Sequence, residues 1–523
     1  MKLIPRLFAG AFFTAASAQT VLVKPYVQPG DGRTLDGADV KVIAWVTDQK
    51  PGDFIVEYVA KGRQAKVTQP SRSQLDFAPA KAPPGKATPA PATPAPGAAP
   101  NAPGFAEIPA TIEDVKTGII KEASPVLSEK EQHYYLYTAK LTDLPFNSEV
   151  TYRVRQGANV IRQSSFKTRA TADKPIRFVA VGDMANGKDA QNGIAWQVAQ
   201  LQPDFLVALG DIVYSGGRVS QYMHHFWTTY NDVATPGAKT GAPLMQSIPF
   251  YPVIGNHDCD VSKLPDIPDA FGAFYFFHGP LNGPGIGAWN TPLGKDPKLA
   301  AYLREKAGAN YPALNFYSFD YGPAHFTMLD TNSYTTASLP QLTKWIENDL
   351  KNSRQRWKFV CMHAPPFHTS PQHYTEQKIR LLAPIFEANG VDVVFAGHVH
   401  NYQRSKPLHF LPNPPVRDPK GRVNGDFTLD EIFDGEKNTR PDGVVYIVSG
   451  GGGATLYNAK DYSKTVEGLK KDNPTNWVEF TAKYVADKNS FSIVELSPTE
   501  LILRAITIDG KEVDRCRITK PVK

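Results

Sequence analysis

Two short apolar runs in the middle of the sequence each lead directly into a glycine and an aspartate. Ile176–Val181 precedes Gly-Asp183, and Phe205–Leu209 precedes Gly-Asp211. Continuous apolar runs of this length predict buried strands, and the helical stretch between them makes the segment a β-α-β unit, which requires parallel strands. Because ligands of open α/β sheets bind beyond the carboxyl ends of the strands, both aspartates are expected at one functional edge.

Three further motifs of the same kind follow, each placed after an apolar run. In chain order, the five motifs are Gly182-Asp183, Gly210-Asp211-Ile-Val-Tyr214, Gly255-Asn256-His257-Asp258, His363 after Val360-Cys-Met, and Gly397-His398-Val-His400. One such motif alone is weak, because a Gly-Asp pair is commonly a turn and a His-x-His pair is commonly on the surface. Together they offer oxygen ligands and imidazoles, which suit Fe, Mn or Zn rather than Ca or Mg alone. The sequence therefore predicts a dinuclear hydrolytic metal centre.

This set of motifs resembles the metallophosphoesterase superfamily and, through Tyr214, which completes Gly-Asp-x-x-Tyr, the purple acid phosphatases. The match covers roughly residues 175–515. The resemblance implies an exported, bacterial-type member with an α/β (α+β) fold, in which helices flank a sandwich of two mixed β-sheets. It also implies seven metal ligands: Asp183, Tyr214 and His400 for a ferric ion, Asn256, His363 and His398 for a divalent ion (Fe, Zn or Mn), and Asp211 bridging both.

The resemblance assigns two more histidines to catalysis and leaves two departures. His257 and His373 occupy the positions of histidines that contact phosphate or donate a proton. Gln372 stands where plant members often carry another histidine, so leaving-group handling is expected to differ. The first motif lacks the usual glycine after Met184, which makes Asp183 a less secure assignment than Asp211.

The expected reaction is hydrolysis of phosphomonoesters by an acid phosphatase. Two cations about 3.5–4 Å apart activate a water and offset charge on the leaving oxygen, so direct attack by a metal-bound hydroxide is expected, with no phosphoenzyme. Two alternatives remain open at this stage. One is a Mn- or Zn-dependent phosphodiesterase or nucleotidase of the same superfamily, and the other is a carbohydrate- or surface-binding protein with an inactive metal domain.

The chain divides near residue 172. Residues 19–171 contain short β-rich runs separated by turns, which predict an all-β sandwich and loosely resemble a fibronectin type III-like domain. Within them, residues 79–104 are rich in proline and alanine, which predicts an extended insertion without a core. Residues 172–523 are expected to form the catalytic dinuclear metallophosphoesterase domain.

The N-terminus predicts export. Residues 1–18 combine a positive start, a short apolar run and Ala16-Ser17-Ala18, which is typical of a cleaved signal peptide and predicts a periplasmic or secreted protein. That run is too short to span a bilayer. A net charge of +6 over 523 residues permits anionic substrates but falls short of a nucleic-acid-binding surface. The expected partners are therefore small phosphorylated molecules, with no nucleic acid and no membrane span.

Overall fold

The computed structural model describes most of the chain outside its N-terminus and several loops. The described residues are 20–77, 132–258, 269–284, 301, 304–305, 307–333, 335, 337, 339–370, 372–417, 422–457 and 479–522. The predicted signal peptide, 1–18, and the Pro/Ala-rich insertion, 79–104, lie outside these residues. Among the helices of the described part, none is long and apolar enough to cross a membrane.

The N-terminal region is an all-β sandwich. Its strands are β1 (Val21–Gln28), β2 (Asp39–Thr47), β3 (Phe54–Ala60), β4 (Lys66–Thr68), β5 (Ser71–Phe77), β6 (Gln132–Leu144), β7 (Glu149–Gln156) and β8 (Asn159–Lys167). They form two antiparallel sheets with the orders β1-β2-β6-β5 and β4-β3-β7-β8. Between the sheets the Trp45 ring stacks on Tyr137 at 5.3 Å, and Phe54 contacts both rings. The predicted all-β, fibronectin type III-like architecture is confirmed, while the domain limits stay a prediction.

The rest of the chain supplies two large mixed sheets. Its strands are β9 (Ile176–Val181), β10 (Phe205–Ala208), β11 (Phe250–Pro252), β12 (Phe316–Tyr321), β13 (Ala324–Leu329), β14 (Trp357–Met362), β15 (Val393–Ala396), β16 (Tyr402–Ser405), β17 (Leu408–Arg417), β18 (Val423–Leu429), β19 (Val445–Ser449), β20 (Thr481–Val485), β21 (Ser490–Leu496), β22 (Glu500–Thr507) and β23 (Glu512–Thr519). The six-stranded sheet has the order β11-β10-β9-β21-β22-β23, and the seven-stranded sheet β12-β13-β14-β15-β19-β16-β20. Parallel pairs, including β9 with β10 and β14 with β15, lie beside antiparallel pairs, so the predicted mixed sheets are confirmed.

Aromatic side chains fill the space between these two sheets. Phe178 on β9 stacks on Phe205 on β10 at 5.3 Å and meets the edges of Phe326 and Phe359, on the facing sheet, at 5.2 and 5.6 Å. These side chains are fully buried, as expected for strands that are continuous apolar runs in the sequence. This packing holds the carboxyl ends of β9, β10, β14 and β15 in one place.

Helices cover the sheets. Their bounds are α1 (Asp189–Leu201), α2 (Val219–Gln221), α3 (Trp227–Tyr230), α4 (Gly272–Phe276), α5 (Pro340–Asn352) and α6 (Ala383–Ala388), with a π-helix at Tyr222–Phe226 and 3₁₀ turns at Leu244–Gln246, Gly308–Asn310 and Lys378–Leu382. The apolar spacing of α5 buries Leu342, Ile346 and Leu350 on one face. The 3₁₀ turn at Lys378–Leu382 runs directly into α6, which has a proline in its first turn.

A buried ion cluster joins the sandwich to the second sheet system. The fully buried Asp39 carboxylate accepts hydrogen bonds from Lys41 Nζ at 2.6 Å and from Arg169 Nε at 2.8 Å. Arg169 also donates to the backbone oxygen of Asp320 on β12 at 3.1 Å. Because each buried charge has a partner, the cluster avoids the large cost of isolated buried ions and ties the two parts of the chain together.

Candidate metal centre

The carboxyl ends of β9 and β10 place two aspartates in an unusual backbone conformation. Asp183 has φ 59° and Asp211 has φ 48°, and His398, after β15, has φ 67°. Few residues other than glycine adopt this left-handed region, although Asp, Asn and His are enriched there. The turns are therefore made mainly by the polar residues themselves, and Gly210 is the one neighbouring glycine of these motifs with a positive φ, of 84°.

Two of the neighbouring glycines are needed for space. A Cβ atom on Gly255 would lie 2.2 Å from Asp211 Oδ1, and one on Gly210 would lie 2.5 Å from His363 Nδ1. Real Cβ contacts are never this short. The glycines therefore allow the polar side chains to converge.

Asp183, Tyr214 and His400 form one group of side chains. Tyr214 donates a hydrogen bond from its hydroxyl to Asp183 Oδ1 at 2.9 Å, and the same hydroxyl lies 3.1 Å from His400 Nε2. His400 Nε2 is 3.2 Å from Asp183 Oδ1. The second oxygen of Asp183 accepts the backbone N–H of His398 at 2.7 Å, which orients the carboxylate. Three residues that follow three different strands thus meet at one point.

Asn256, His363 and His398 form a second group beside Asp211. His363 Nε2 lies 3.0 Å from Asn256 Oδ1, 3.1 Å from His398 Nδ1 and 3.2 Å from Asp211 Oδ1. Asn256 is the exposed member, whereas the other three residues are buried. The spacing of the ligand atoms of Asp211, His363 and His398 suits a single metal ion.

Hydrogen bonds outside the two groups orient their imidazole rings. His363 Nδ1 lies 2.8 Å from the backbone oxygen of Leu209, and His400 Nδ1 lies 2.7 Å from that of Thr455. A carbonyl oxygen only accepts, so each Nδ1 carries a proton and each Nε2 faces the interior of the site. His398 is held in the opposite sense, with Nε2 3.1 Å from Glu376 Oε2 and Nδ1 facing inward. Such outer partners are characteristic of metal-binding histidines, so the residues present fit a metal centre.

The charges of the site lead to the same conclusion. Burial and the adjacent carboxylates of Asp183 and Asp211 raise the pKa of Tyr214 well above its usual value. Burial alone would lower the pKa of His363, but the Asp211 carboxylate raises it to about 10. Burial would likewise raise the pKa of Asp211, and His363 and His257 together lower it. A phenolate at Tyr214 would therefore need a cation among these groups, and the donor set of phenol, carboxylates and imidazoles suits transition metals such as Fe, Mn or Zn.

His257 and His373 flank the two groups, as the sequence predicts for residues near the substrate. His257 has Nδ1 2.8 Å from the backbone oxygen of Ser215 and Nε2 3.9 Å from Asp211 Oδ2, and 28% of its side chain is exposed. His373 lies with its ring 3.9 Å from the His398 ring, and 25% of its side chain is exposed. The structure thus brings all nine predicted site residues together, and their roles are proposals that follow below.

Two residues of this site were missed by the sequence analysis. Glu376 accepts from both His398 and His373, at 3.1 and 2.7 Å. Its position one helical turn after His373 was the available signal. Tyr457 lies with its hydroxyl 2.8 Å from His373 Nε2, and nothing in the neighbouring sequence marks it.

The glycine-rich segment after β19 packs beneath Asp183. Gly452 donates its backbone N–H to the Gly182 oxygen at 3.0 Å, and a Cβ atom on Gly450 would lie 2.8 Å from Asp183 Oδ2. The segment therefore packs against the Asp183 loop and supports the site.

Comparisons with known proteins agree with this geometry. Residues 176–402 match the calcineurin-like phosphoesterase family. Several of the similar proteins are purple acid phosphatases, and the resemblance to that family is confirmed. Purple acid phosphatase 18 of Arabidopsis thaliana is 29% identical over 48% of this chain and 49% of its own. The Fe(3+)-Zn(2+) purple acid phosphatase 12 of the same plant is 25% identical over 52% of each chain.

A solved structure shares the architecture along nearly the whole chain. A purple acid phosphatase from yellow lupin (Lupinus luteus) seeds superimposes with a TM-score of 0.60 at 16% identity, over 96% of this chain and 74% of its own. At that identity the likeness establishes the fold. The chain spans about half the length of the curated relatives it matches.

Proposed function

We propose that this protein hydrolyses phosphomonoesters as an acid phosphatase with a dinuclear Fe(III)–M(II) centre. The observation that carries the proposal is the contact of the Tyr214 hydroxyl with Asp183 at 2.9 Å and His400 at 3.1 Å. A phenol at this point would be a good ligand for ferric iron and a poor one for zinc. The similarity to the Fe(3+)-Zn(2+) purple acid phosphatase 12 supports the same metals.

In this proposal the two groups of side chains hold the two ions. Asp183, Tyr214 and His400 would hold the ferric ion, Asn256, His363 and His398 would hold a divalent Fe, Zn or Mn ion, and Asp211 would be the ligand shared by both. When bound, such an ion pair supplies Lewis acidity and positive charge for the attack of water on phosphorus.

The remaining histidines act on the substrate. His257, partly exposed and held at Nδ1 by the Ser215 carbonyl, keeps Nε2 for the substrate and donates a proton to the leaving oxygen. His373, whose ring lies 3.9 Å from the His398 ring, is the second histidine assigned to contact phosphate or donate a proton. Because water attacks phosphorus and His257 protonates the leaving oxygen, no protein nucleophile is required.

The test compares a monoester with a diester. Purified protein should turn over 4-nitrophenyl phosphate much faster than bis(4-nitrophenyl) phosphate, with its optimum in acid, and should contain about two metal ions per chain, one of them iron. Preference for the diester, with manganese or zinc only, would instead establish a phosphodiesterase. Absence of bound metal and of turnover on both substrates would leave a binding protein.

We further propose that residues 1–18 direct export to the periplasm or medium and are then removed, and that residues 19–171 and 172–523 are separate domains. The charged start, apolar run and small-residue site support the first proposal. N-terminal sequencing of protein recovered from its natural compartment should find Gln19 first, and limited proteolysis should cut near residue 172.

A further inference from the structure

A cavity of about 310 Å³ lies between the N-terminal sandwich and the rest of the chain. This volume is within the range of roughly 300–1,000 Å³ that small-molecule sites occupy. The sandwich lines the cavity with residues of β5 and β6, and α4 and the turn at Gly308–Asn310 contribute to the opposite side. None of the lining residues is a predicted metal ligand or catalytic histidine, so the cavity is separate from the candidate metal centre.

The deepest part of the cavity is apolar. Leu75 and Leu136 line it from the sandwich, Phe274 and Ala307 line it from the other side, and all four residues are buried. Tyr275 is half-buried and adds a second aromatic ring to the lining. A surface of this kind fits the C–H face of a ring-shaped ligand.

The rest of the lining is polar, and none of the described residues in it is a lysine or an arginine. Ser73 and Glu305 are exposed, so the cavity opens to solvent beside them. Asn310 donates from Nδ2 to the backbone oxygen of Phe274 at 2.7 Å, which leaves its Oδ1 for a ligand. Because anions are bound through cationic side chains, this lining favours an uncharged ligand over a phosphate.

His278 contributes a polar atom that lacks a partner. Its backbone is fixed to the sandwich, since its N–H donates to Gln28 Oε1 at 3.2 Å and its carbonyl accepts from the Gly30 N–H at 3.3 Å. Its Nδ1 is buried and makes no hydrogen bond within the described part of the chain. Burial lowers the pKa of the imidazole to about 4, so the ring is neutral at pH 5 and above. An unpaired buried polar atom is costly, and a ligand hydroxyl would satisfy it.

We propose that this cavity is a carbohydrate-binding site that takes one neutral hexose ring. A sugar hydroxyl both donates and accepts hydrogen bonds, so it can pair with the Ser73 hydroxyl, Asn310 Oδ1 and His278 Nδ1. The Glu305 carboxylate accepts from hydroxyl groups as well. The C–H face of the sugar would pack on the apolar part of the lining and on the Tyr275 ring. The site therefore adds a second binding function to the proposed phosphatase.

Saturation-transfer NMR of the full, metal-loaded protein with glucose, galactose, mannose and N-acetylglucosamine tests the proposal. We expect at least one of these sugars to bind. Its affinity should change less than about twofold between about 50 and about 500 mM NaCl, because salt does not screen a neutral ligand. If none of the four sugars binds, the proposal is wrong. Binding of spermidine in their place, weakened by salt, would also overturn it and would indicate a cation site at Glu305.

Two substitutions locate the bound sugar. Ser73→Trp adds a large side chain from an exposed position on the edge strand β5, and it should weaken binding more than about tenfold by filling the cavity. Tyr275→Ala removes an aromatic contact and should weaken binding about 2–10-fold. Gln163→Trp is the matched control, because it adds the same bulk at an exposed position on β8, in the other sheet of the sandwich. Its affinity should match wild type.

The outcomes are independent of the proposed phosphatase function. All three variants should hydrolyse 4-nitrophenyl phosphate at the wild-type rate, which also shows that they fold. Sugar binding that persists in Ser73→Trp, or that falls equally in Gln163→Trp, would overturn the assignment of the cavity. If Ser73→Trp does not fold, Tyr275→Ala decides, since an unchanged affinity would also overturn it. A wild type without phosphatase activity would contradict only the proposed function, because sugar binding is measured without turnover.

Discussion

Tyr214 and Asp183 share a hydrogen bond of 2.9 Å although they follow different strands, β10 and β9. The contact is possible because the two strands are parallel neighbours, with Ala208 beside Val181 at their carboxyl ends. A further bridge between Ala185 and Val213 keeps the two loops side by side. The parallel pairing of β9 and β10 thus places a phenol beside a carboxylate, where a ferric ion would bind both.

Removal of the Tyr214 hydroxyl should remove the colour of the protein. We expect the oxidised wild type to be pink to purple through phenolate-to-iron charge transfer, and Tyr214→Phe to lose that band while retaining part of its metal through Asp183 and His400. Visible absorption and metal analysis of both proteins provide the check. A colourless, fully active wild type that contains only zinc or manganese as isolated would contradict the purple-phosphatase proposal.

His257→Ala should lower kcat by 10²–10⁴-fold, the range typical for loss of a general acid. Its metal content should match wild type, because the ring stands beside the ligands. The loss should shrink for substrates with acidic leaving groups, which depart without a proton. His409→Ala is the control, since His409 pairs with Glu387 and Asp442 at a distance from the site. Equal losses for good and poor leaving groups would argue against proton donation.

Gly255→Ala should disable the site through crowding alone. The added methyl group would lie 2.2 Å from both the backbone nitrogen and Oδ1 of Asp211, so the carboxylate must move. Overpacking of this kind costs about 1–3 kcal/mol, and we expect lower metal content and greatly reduced turnover. At Gly279 the same methyl group would make an ordinary contact of 3.7 Å, so Gly279→Ala should behave like wild type. Normal metal binding by Gly255→Ala would show that the loop relaxes.

The free energy of unfolding should fall as the pH rises from 6.5 to 9, because His325 loses its proton over this range. Burial by itself would lower the pKa of this residue, but hydrogen bonds to Asp320 at 2.7 Å and Asp349 at 3.0 Å raise it to about 9. The folded state therefore binds the proton more tightly than the unfolded state. Protonated His325 contributes about 3 kcal/mol to the free energy of unfolding. This contribution is complete below pH 6.5 and is lost as the pH rises through 9.

The comparison with His325→Gln isolates this contribution from other groups that titrate in the same range. The urea midpoint of wild type should fall between pH 6 and pH 9 by more than that of the variant, in which Ser318 and Thr327 still donate to Asp349 and Arg33 lies 3.7 Å from it. Parallel pH profiles for the two proteins would show that His325 is neutral in the folded state.

Deletion of residues 79–104 should leave folding and activity nearly intact. The segment is rich in proline and alanine and lacks the large apolar residues that form a core. Yield of soluble protein, metal content and turnover of 4-nitrophenyl phosphate are the measurements. Loss of soluble, metal-loaded protein would show that the segment packs against the folded chain.

Most of the site residues that the sequence predicted lie just after an apolar run, whereas His373 was assigned only through the family resemblance. Asp183, Asp211 and His363 each lie one to three residues beyond the end of a strand, so strand periodicity and sheet topology together bring them to one edge. Glu376 and Tyr457 follow no such rule, because they reach the site from loops whose course depends on tertiary packing.

The left-handed backbone conformation at Asp183 and Asp211 affects how the activity and metal content of variants at these positions must be interpreted. Asparagine shares the tolerance of aspartate for this conformation, whereas alanine does not. An alanine variant would therefore lose a ligand and distort its loop at once, and its phenotype would overstate the importance of the charge. Asparagine variants separate the loss of charge from the distortion of the loop. Where natural relatives differ at these positions, we expect asparagine or glycine before other residues.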